Sequence, residues 1–487
     1  MNLSSIDILY KIPLVLLICI LTSCSSEDDS TSPINESIIE FDDFTPKMSM
    51  TGNTVKLFGN NFEMNQGDLT ISFNQIIAEI NSVDNTSITV IVPEGAETGP
   101  ITLKTGDKIL TSATDFYIPN VDKTNSKIGD KIKIHGFNIG KSNADVSVSL
   151  NDLELPFTSI NNNNISVELI PNATTGSLTL TSDNVDYSLG TFEIISRWSE
   201  KKDFPGVERS SAVAFGIGDK FYVGLGITHN GSSRTLHSDF WEYDPNSDSW
   251  SQVADFPGEA RLLASAFSIN GKGYVGMGTD LTYPQNDKFN DLWEYNPVTD
   301  TWTQKADLPS NGRAYCAGFA IGNKGYIGLG TTADSPYTNV NEFWSYDPTI
   351  NTWTQETSFP GDPRHSPTAF VINNKVYIGG GATAGSGTGL LDFYEFDPTN
   401  KTWTKLNNLP ESQVYSINFS FNSKGFSLFG SGSNFYEYDP VIDSWNKVEA
   451  FPLNDFGNYS SGGSLESQAY IFIINDDLTD VSFWSFE

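Results

Sequence analysis

The sequence predicts an all-β protein: two immunoglobulin-like sandwiches followed by a ring of six four-stranded sheets closed by the ring's own N-terminal strand. Three observations predict it. Trp198, Trp250, Trp302, Trp353, Trp403 and Trp445 recur about every 50 residues. An aromatic (Tyr243, Tyr295, Tyr346, Phe396, Tyr438) stands seven positions before each of the last five. Upstream, between Ile38 and Ile195, short alternating apolar and polar runs are broken by Gly and Asn. Aromatics make up 13% of the chain beside 41 Gly, and runs rich in Ala, Leu, Glu and Lys at helical period are nearly missing.

At 487 residues the chain suggests about three domains of ~150 residues each. Asp and Glu number 60 against 28 Lys and Arg, a net charge of -32. That balance argues against nucleic acid or anionic headgroups as partners of the folded body, because phosphates are bound by basic patches.

Taken in order, Ile12 to Leu21 is an apolar run of signal-peptide length behind Lys11, too short to span a membrane comfortably. It ends in Leu21-Thr22-Ser23-Cys24, which resembles the lipobox of bacterial lipoproteins. The resemblance implies cleavage after residue 23 and lipidation of Cys24. Ser25-Ser26-Glu27-Asp28-Asp29 resembles the surface-export signal of Bacteroidetes lipoproteins, implying an outer-membrane protein exposed on the cell surface and tied to the membrane through Cys24 alone. Residues 24–40 read as a flexible acidic tether. Of the three cysteines, Cys19 and Cys24 lie in this leader region, so Cys316 has no intrachain partner and reads as a small buried hydrophobe on an inner strand.

Residues 41–119 carry Thr54 to Phe62 (T-V-K-L-F-G-N-N-F), Ser87 to Ala96 (S-I-T-V-I-V-P-E-G-A) and Thr98 to Leu103 (T-G-P-I-T-L). Together these resemble the IPT/TIG family and imply a sandwich of about seven short strands. Residues 120–195 repeat the pattern more loosely in Lys131 to Ile139, Ile170-Pro171-Asn172-Ala173 and Thr175 to Leu180, with Ile139 standing where Phe62 does. Tandem copies of this family commonly act as spacers, and neither copy offers a binding residue of its own.

Residues 196–487 hold the repeats, and a period near 50 with four strands per unit is the signature of a β-propeller. The stretch Trp241 to Trp250 reads as strand, tight turn, strand: Pro245 presets φ for the turn, and Asp244 can accept a hydrogen bond from the turn's own backbone. With Gly273 to Gly278 ending a second strand upstream of Tyr295 and Trp302, the unit resembles the kelch repeat. One departure is Gly-x-Gly at 224–226, 276–278 and 328–330, where the family has a Gly-Gly doublet; Gly379-Gly380-Gly381 keeps it. Trp198 to Phe204 matches a fourth strand, and Phe483 to Glu487 a third. The N-terminal strand should therefore complete the last of six blades.

That phase locates candidate ligand residues on one rim. Arg209, Arg261, Arg313 and Arg364 each fall four residues after a proline (Pro205, Pro257, Pro309, Pro360), whereas Val414 and Phe456 occupy that spacing in the last two blades. Four guanidiniums around a channel mouth would bind a carboxylate bidentately. Equally, each could hold its own blade by pairing with Glu208, Glu259, Asp362 or backbone, since repeated positions reflect repeated architecture. Loops on the same face carry His229, His237, Tyr283 and Tyr337, aromatics that can stack on sugar rings or be bland surface residues. The repeated Trp and Tyr residues are core.

Enzyme signatures are sparse. The chain has four His, and neither H-E-x-x-H, G-x-S-x-G nor a paired Cys motif occurs, so no zinc site or nucleophile elbow is supported and no cofactor is expected. The kelch-bearing galactose oxidases need a Tyr-His pair for copper, which is missing here. Asp476, Asp477 and Asp480 match no calcium-loop spacing and read as a solvated turn. The expectation is a non-catalytic surface lipoprotein whose propeller binds a glycan or protein ligand. Bacterial sialic-acid epimerases of the N-acetylneuraminate type are kelch propellers too, which makes a carbohydrate-active enzyme the alternative; a structural or adhesive role in the envelope is a third.

Overall fold

Alternation decides the sandwiches. A computed structural model describes residues 38–487 apart from 137–138, 140–145, 232, 281–287, 335–336, 385–388, 413, 430–433, 454–458, 467, 476–477 and 479. The chain divides into two compact units, residues 1–117 and 118–487. In the first, Thr54–Asn60 buries every second side chain, Val55 and Leu57 pointing into the core. It lies in a four-stranded sheet with Glu40–Thr45, Ser87–Ile91 and Glu79–Asp84. A second four-stranded sheet, Ile76–Ile77, Thr70–Phe73, Gly99–Thr105 and Lys108–Phe116, contributes Ile71, Phe73, Ile101 and Leu103 to the same core. A short 3-10 helix, Glu63–Asp68, follows Phe62.

The second unit begins with another two-sheet sandwich, one sheet of four strands and one of five, around Ile132, Ile134, Val148, Ile165, Leu178 and Leu180. Ile139 is fully buried, as Phe62 is in the first sandwich, so the substitution keeps the core contact. The last strand of this sandwich, Val185–Ile195, runs through Ser196 and Arg197 directly into Trp198–Glu200. The junction is bound by charge. Lys127 Nζ lies 2.8 Å from Glu487 Oε1, and the Glu449 carboxylate accepts from Ser196 Oγ at 2.6 Å and Arg197 N–H at 2.8 Å.

Six four-stranded sheets follow among the described residues. Their inner strands, Val213–Ile217, Ser265–Ile269, Ala317–Ile321, Thr368–Ile372, Ile417–Phe421 and Ser461–Ser464, each lie against the next, and the sixth lies against the first. The sixth sheet takes its outer strand from Trp198–Glu200, paired antiparallel with Val481–Phe486. Second strands are buried on both faces, as in Lys220-Phe221-Tyr222-Val223-Gly224, whereas fourth strands such as Thr301–Gln304 keep one half-buried residue, the Trp.

The repeated Trp frame holds neighbouring blades together. In the turn, Asp244 Oδ1 accepts from Asn246 N–H at 2.9 Å, and Asn296, Asp347, Asp397 and Asp439 do the same. Trp302 Nε1 donates to Ala254 O of the preceding blade at 2.9 Å, while Asp300 accepts from Ala254 N–H and from Tyr295 Oη. Trp250, Trp353 and Trp403 make the equivalent bond to Lys202, Ala306 and Thr357. In the fourth blade Phe396 replaces the Tyr and Lys401 replaces its Asp acceptor, so hydroxyl and carboxylate are lost together.

The Gly-x-Gly departure has a physical reason. Leu225, Met277 and Leu329 take φ of 59°, 60° and 62°, as Gly380 does at 60°. The second glycine is the one sterics demand: a Cβ on Gly330 would sit 2.8 Å from Ala314 O, and its N–H donates to Arg364 O of the next blade at 2.9 Å. At the first position the left-handed conformation costs about 1–2 kcal/mol, but the side chain there is wholly buried, and removing a buried Leu costs about 2–5 kcal/mol. Burial outweighs strain. Leu329→Gly, which restores the doublet, should therefore destabilise the protein by about 1 kcal/mol or more; an increased midpoint in urea unfolding would reverse the ranking of the two terms.

Candidate functional site

The loops entering each inner strand carry the four arginines, and these do not face the channel. Arg209, Arg261, Arg313 and Arg364 are at most 1% exposed. Each guanidinium is committed to the acid just before the third strand of its own blade. Arg209 Nη1 and Nη2 donate to Asp239 Oδ1 and Oδ2 at 2.6 and 2.9 Å, and Arg364 forks onto Asp392 at 2.6 and 2.8 Å. Arg261 forks onto Asp291 in the same way, and Arg313 reaches Glu342 at 2.8 Å. Nη1 also donates to the carbonyl of the left-handed residue, Leu225, Met277, Leu329 or Gly380. The expected anion-binding ring is thus corrected to a set of internal clamps, because an incoming carboxylate would have to displace one already bound. The partners are not the side chains of Glu208, Glu259 or Asp362; of that stretch, Arg261 and Arg364 use the backbone carbonyls of Glu259 and Asp362.

The clamp shifts its acids. Burial alone would raise the Asp239 carboxyl, but hydrogen bonds from Arg209 and Trp241 and the Arg209 charge carry it below the usual carboxylate range. Glu342 is held low in the same sense by Arg313, Ser310 and Trp344. Blade 5 inverts the device: the loop supplies the carboxylate, Glu411, which accepts from Asn434 at 2.9 Å and Tyr436 at 2.6 Å. Blade 6 keeps a remnant, Trp484 Nε1 donating to Ser482 Oγ at 3.0 Å.

What reaches the channel is the second residue after each arginine. Ser211, Leu263, Tyr315 and Ser366, with Tyr415 and Tyr459, line a depression of 170 Å³ at the mouth, floored by Ala212, Ala264, Cys316, Pro367, Ser416 and Ser460. Backbone bonds join these positions between blades: Ser211 N–H donates to Tyr459 O, Leu263 N–H to Ser211 O and Ser366 N–H to Tyr315 O. Ser211, Leu263, Tyr315, Ser366 and Tyr415 all have left-handed φ, between 50° and 67°. Four rings form a continuous arc over one side, with centroids 5.6 Å apart for Tyr315 and His365, 5.8 Å for Tyr315 and Tyr415, and 5.1 Å for Tyr415 and Tyr459. Burial lowers the His365 pKa, so its imidazole is neutral at pH 7.

Counting from the prolines missed this arc. Val414, like the arginines, lies four residues after its proline, whereas the mouth position lies beyond it; because Pro410 is one residue closer to Ile417–Phe421 than its counterparts are to their strands, that position is Tyr415 and not Ser416. Phe456 and Tyr283 lie outside the described residues, as do Asp476, Asp477 and Cys24. His237 is half-buried beside the clamp, its Nε2 2.7 Å from Thr228 Oγ1, and burial followed by the Arg209 charge lowers its pKa against the pull of Asp239. His229 lies in the hairpin Ile227–Asn230 with Ser233–Leu236, and Tyr337 starts the strand Tyr337–Asn339. His229 does not line the mouth depression, and the side chain of Tyr337 lies outside what the structure describes. Cys316 sits in the channel floor, its Sγ 3.1 Å from Ser265 Oγ; burial pushes the thiol up, which keeps it protonated. Among the described residues no cluster of His, Cys, Asp or Glu could hold a metal, and no helix is long and apolar enough to cross a membrane.

Fold and mouth together define an all-β protein that joins an immunoglobulin-like sandwich to a kelch-type propeller. The family model for the IPT/TIG domain matches residues 40–118, and that for the KLHDC2/KLHL20/DRC7 Kelch-repeats domain matches residues 286–431. Relatives include the N-acetylneuraminate epimerase of Pasteurella multocida (strain Pm70), 29% identical over 209 residues, 36% of this chain and 53% of that protein. That of Haemophilus influenzae (strain PittEE) is 28% identical over 34% of this chain and 51% of its own length. Kelch-like protein 25 of Xenopus tropicalis is 27% identical over 38% and 30%. The chain thus spans about half the length of the epimerases it matches. The solved structure of YjhT shares the fold at a TM-score of 0.50 and 18% identity, over 59% of this chain and 96% of that one.

Proposed function

We propose that the chain is a non-catalytic surface lipoprotein, anchored through Cys24, whose sandwiches hold the propeller off the outer membrane while the channel mouth binds a glycan or protein ligand. The observation that supports this reading is the residue choice at the mouth. A left-handed backbone favours Gly or Asn, and a bulky residue there is a conformational outlier. Tyr315 and Tyr415 occupy it nonetheless, at φ of 58° and 67°, with rings that remain half-buried at the rim. Blade architecture does not ask for tyrosine at these positions, whereas ligand contact does. The experiment is a binding screen of the full chain, wild type against Tyr415→Ala, over a glycan array and purified envelope proteins; ligands held equally by both would remove the mouth from the proposal. Palmitate labelling that persists in Cys24→Ser would remove the anchor.

A second reading, a sugar-acid epimerase, is favoured by the names of the relatives. Its test is epimer interconversion of N-acetylneuraminate followed by NMR, with the full chain at catalytic and then stoichiometric concentration. Acceleration over the uncatalysed rate would establish it in place of the binding role.

A further inference from the structure

The lining of the mouth narrows what can bind there. Among the described residues the depression carries no charged side chain: its walls are Tyr, Leu, Ser, Ala, Pro and Cys. The channel below is equally neutral, lined by Ala, Val, Ile, Gly, Pro, Ser, Asn and Cys side chains. All four repeat arginines stand behind this surface, buried and neutralised by Asp239, Asp291, Glu342 and Asp392. The whole chain carries a net charge of -32, so an approaching anion meets repulsion with no cation among the described residues of the mouth to offset it.

What the mouth does offer is ring faces and hydroxyls. Tyr415 and Tyr459 are inclined at 51° with centroids 5.1 Å apart, and Tyr315 continues the arc at 53° to Tyr415. Ser211 and Ser366 complete the rim between the aromatics, and Ser416 and Ser460 lie just below. A pyranose ring presents the complement, with a face of C–H bonds that the negative face of an aromatic attracts and an edge of hydroxyls for serine and tyrosine oxygens. At 170 Å³ the depression is below the ~300 Å³ of a small drug-sized pocket, which suits one terminal ring with the remaining glycan outside.

We infer that the channel mouth takes a single uncharged sugar ring, stacked on Tyr415 and Tyr459, and discriminates against sugar acids. This rests on the reading of the mouth as the binding site. The assignment separates the chain from the substrate that its relatives' names carry, because among the described residues a carboxylate at this rim would find hydroxyls but no cationic side chain.

The test titrates the full chain with methyl β-galactoside, methyl α-glucoside, methyl N-acetyl-β-glucosaminide and N-acetylneuraminic acid, followed by saturation-transfer NMR and calorimetry. At least one neutral glycoside should bind, with N-acetylneuraminic acid weaker. Tyr415→Ala and Tyr459→Ala should each weaken that glycoside by about threefold to tenfold, and Tyr459→Phe, which keeps the ring, should retain it. Tyr459 is 37% exposed, so its variant tests the site without disturbing the core, and a thermal melt checks the fold of both. Tighter binding of N-acetylneuraminic acid that is lost in the tyrosine variants overturns the uncharged class and leaves the mouth as the site. Glycoside binding unchanged in both alanine variants overturns the mouth itself. Failure of every glycoside, with a protein ligand captured through the same tyrosines, overturns the sugar class alone.

Discussion

Arg261→Ala should destabilise the protein by about 3 kcal/mol, with a matching fall in the urea midpoint. Removing one partner of a buried ion pair costs about 3–5 kcal/mol, and the lower end applies because Asp291 retains 19% of its side-chain exposure. Three acceptors lose the arginine as donor at once, the Asp291 carboxylate, Met277 O and Glu259 O, and Asp291 keeps only the bond from Trp293 Nε1 among those described. The last two fix the left-handed turn and the entry loop. Arg261→Lys should recover only part of the loss, since a three-donor ammonium lacks the planar fork that serves both Asp291 oxygens, Met277 O and Glu259 O together. A folded Arg261→Ala protein within 1 kcal/mol of wild type would return the arginine to the candidates for ligand contact. Acid should act through the same clamps. Asp239 and Glu342 have depressed values in the folded state, so their contribution is complete above the unfolded carboxylate range and is lost as pH falls below about 4. An Asp239→Asn protein should lose less stability than wild type over that window.

Trp198→Ala should cost about 3–5 kcal/mol, the usual penalty for truncating a buried Trp. Trp198 is 5% exposed and packs on Phe435, Phe451 and Phe486 with centroids 5.0, 4.9 and 4.6 Å away. Its strand is three residues long, so the Trp supplies the apolar contact of that edge of the sixth sheet beside the polar bonds of Ser196 and Arg197. Hydrogen exchange should show lost protection first in Ala469–Ile474 and Val481–Phe486 and last in Ser265–Ile269 on the far side of the ring. Uniform loss of protection would mean that the ring opens as one cooperative unit instead of at its seam.

Periodic features were legible in advance because burial imposes a period on sequence. Val55 and Leu57 announce a strand by alternation, and Trp250 to Trp445 announce blades by recurrence. The turn acceptors, Asp244 to Asp439, follow from local geometry alone. The clamp was half visible: the arginines stand out by position, but their partners Asp239 and Asp392 lie about 30 residues away in sequence, and spacing cannot tell a guanidinium facing a channel from one facing a carboxylate. The aromatic arc escaped for another reason. Its members come from different blades, tyrosine alternates with Ser and Leu at the mouth position, His365 stands one residue before it, and loops of unequal length shift the count by a residue. A site assembled across repeats is written in the register between them.

The closing strand also sets a clock on synthesis. Arg197, beside Trp198, donates to Glu487 O across 290 residues of chain. At about 5–20 residues per second, roughly 15–60 s pass between the emergence of this strand and that of its partner. Throughout that interval Trp198 has no blade to enter, and its strand edge is open to pairing with other chains. A contact between residues so far apart in sequence forms late, and any mutation that weakens the seam lengthens the stage at which the nascent ring can join a neighbour instead of itself.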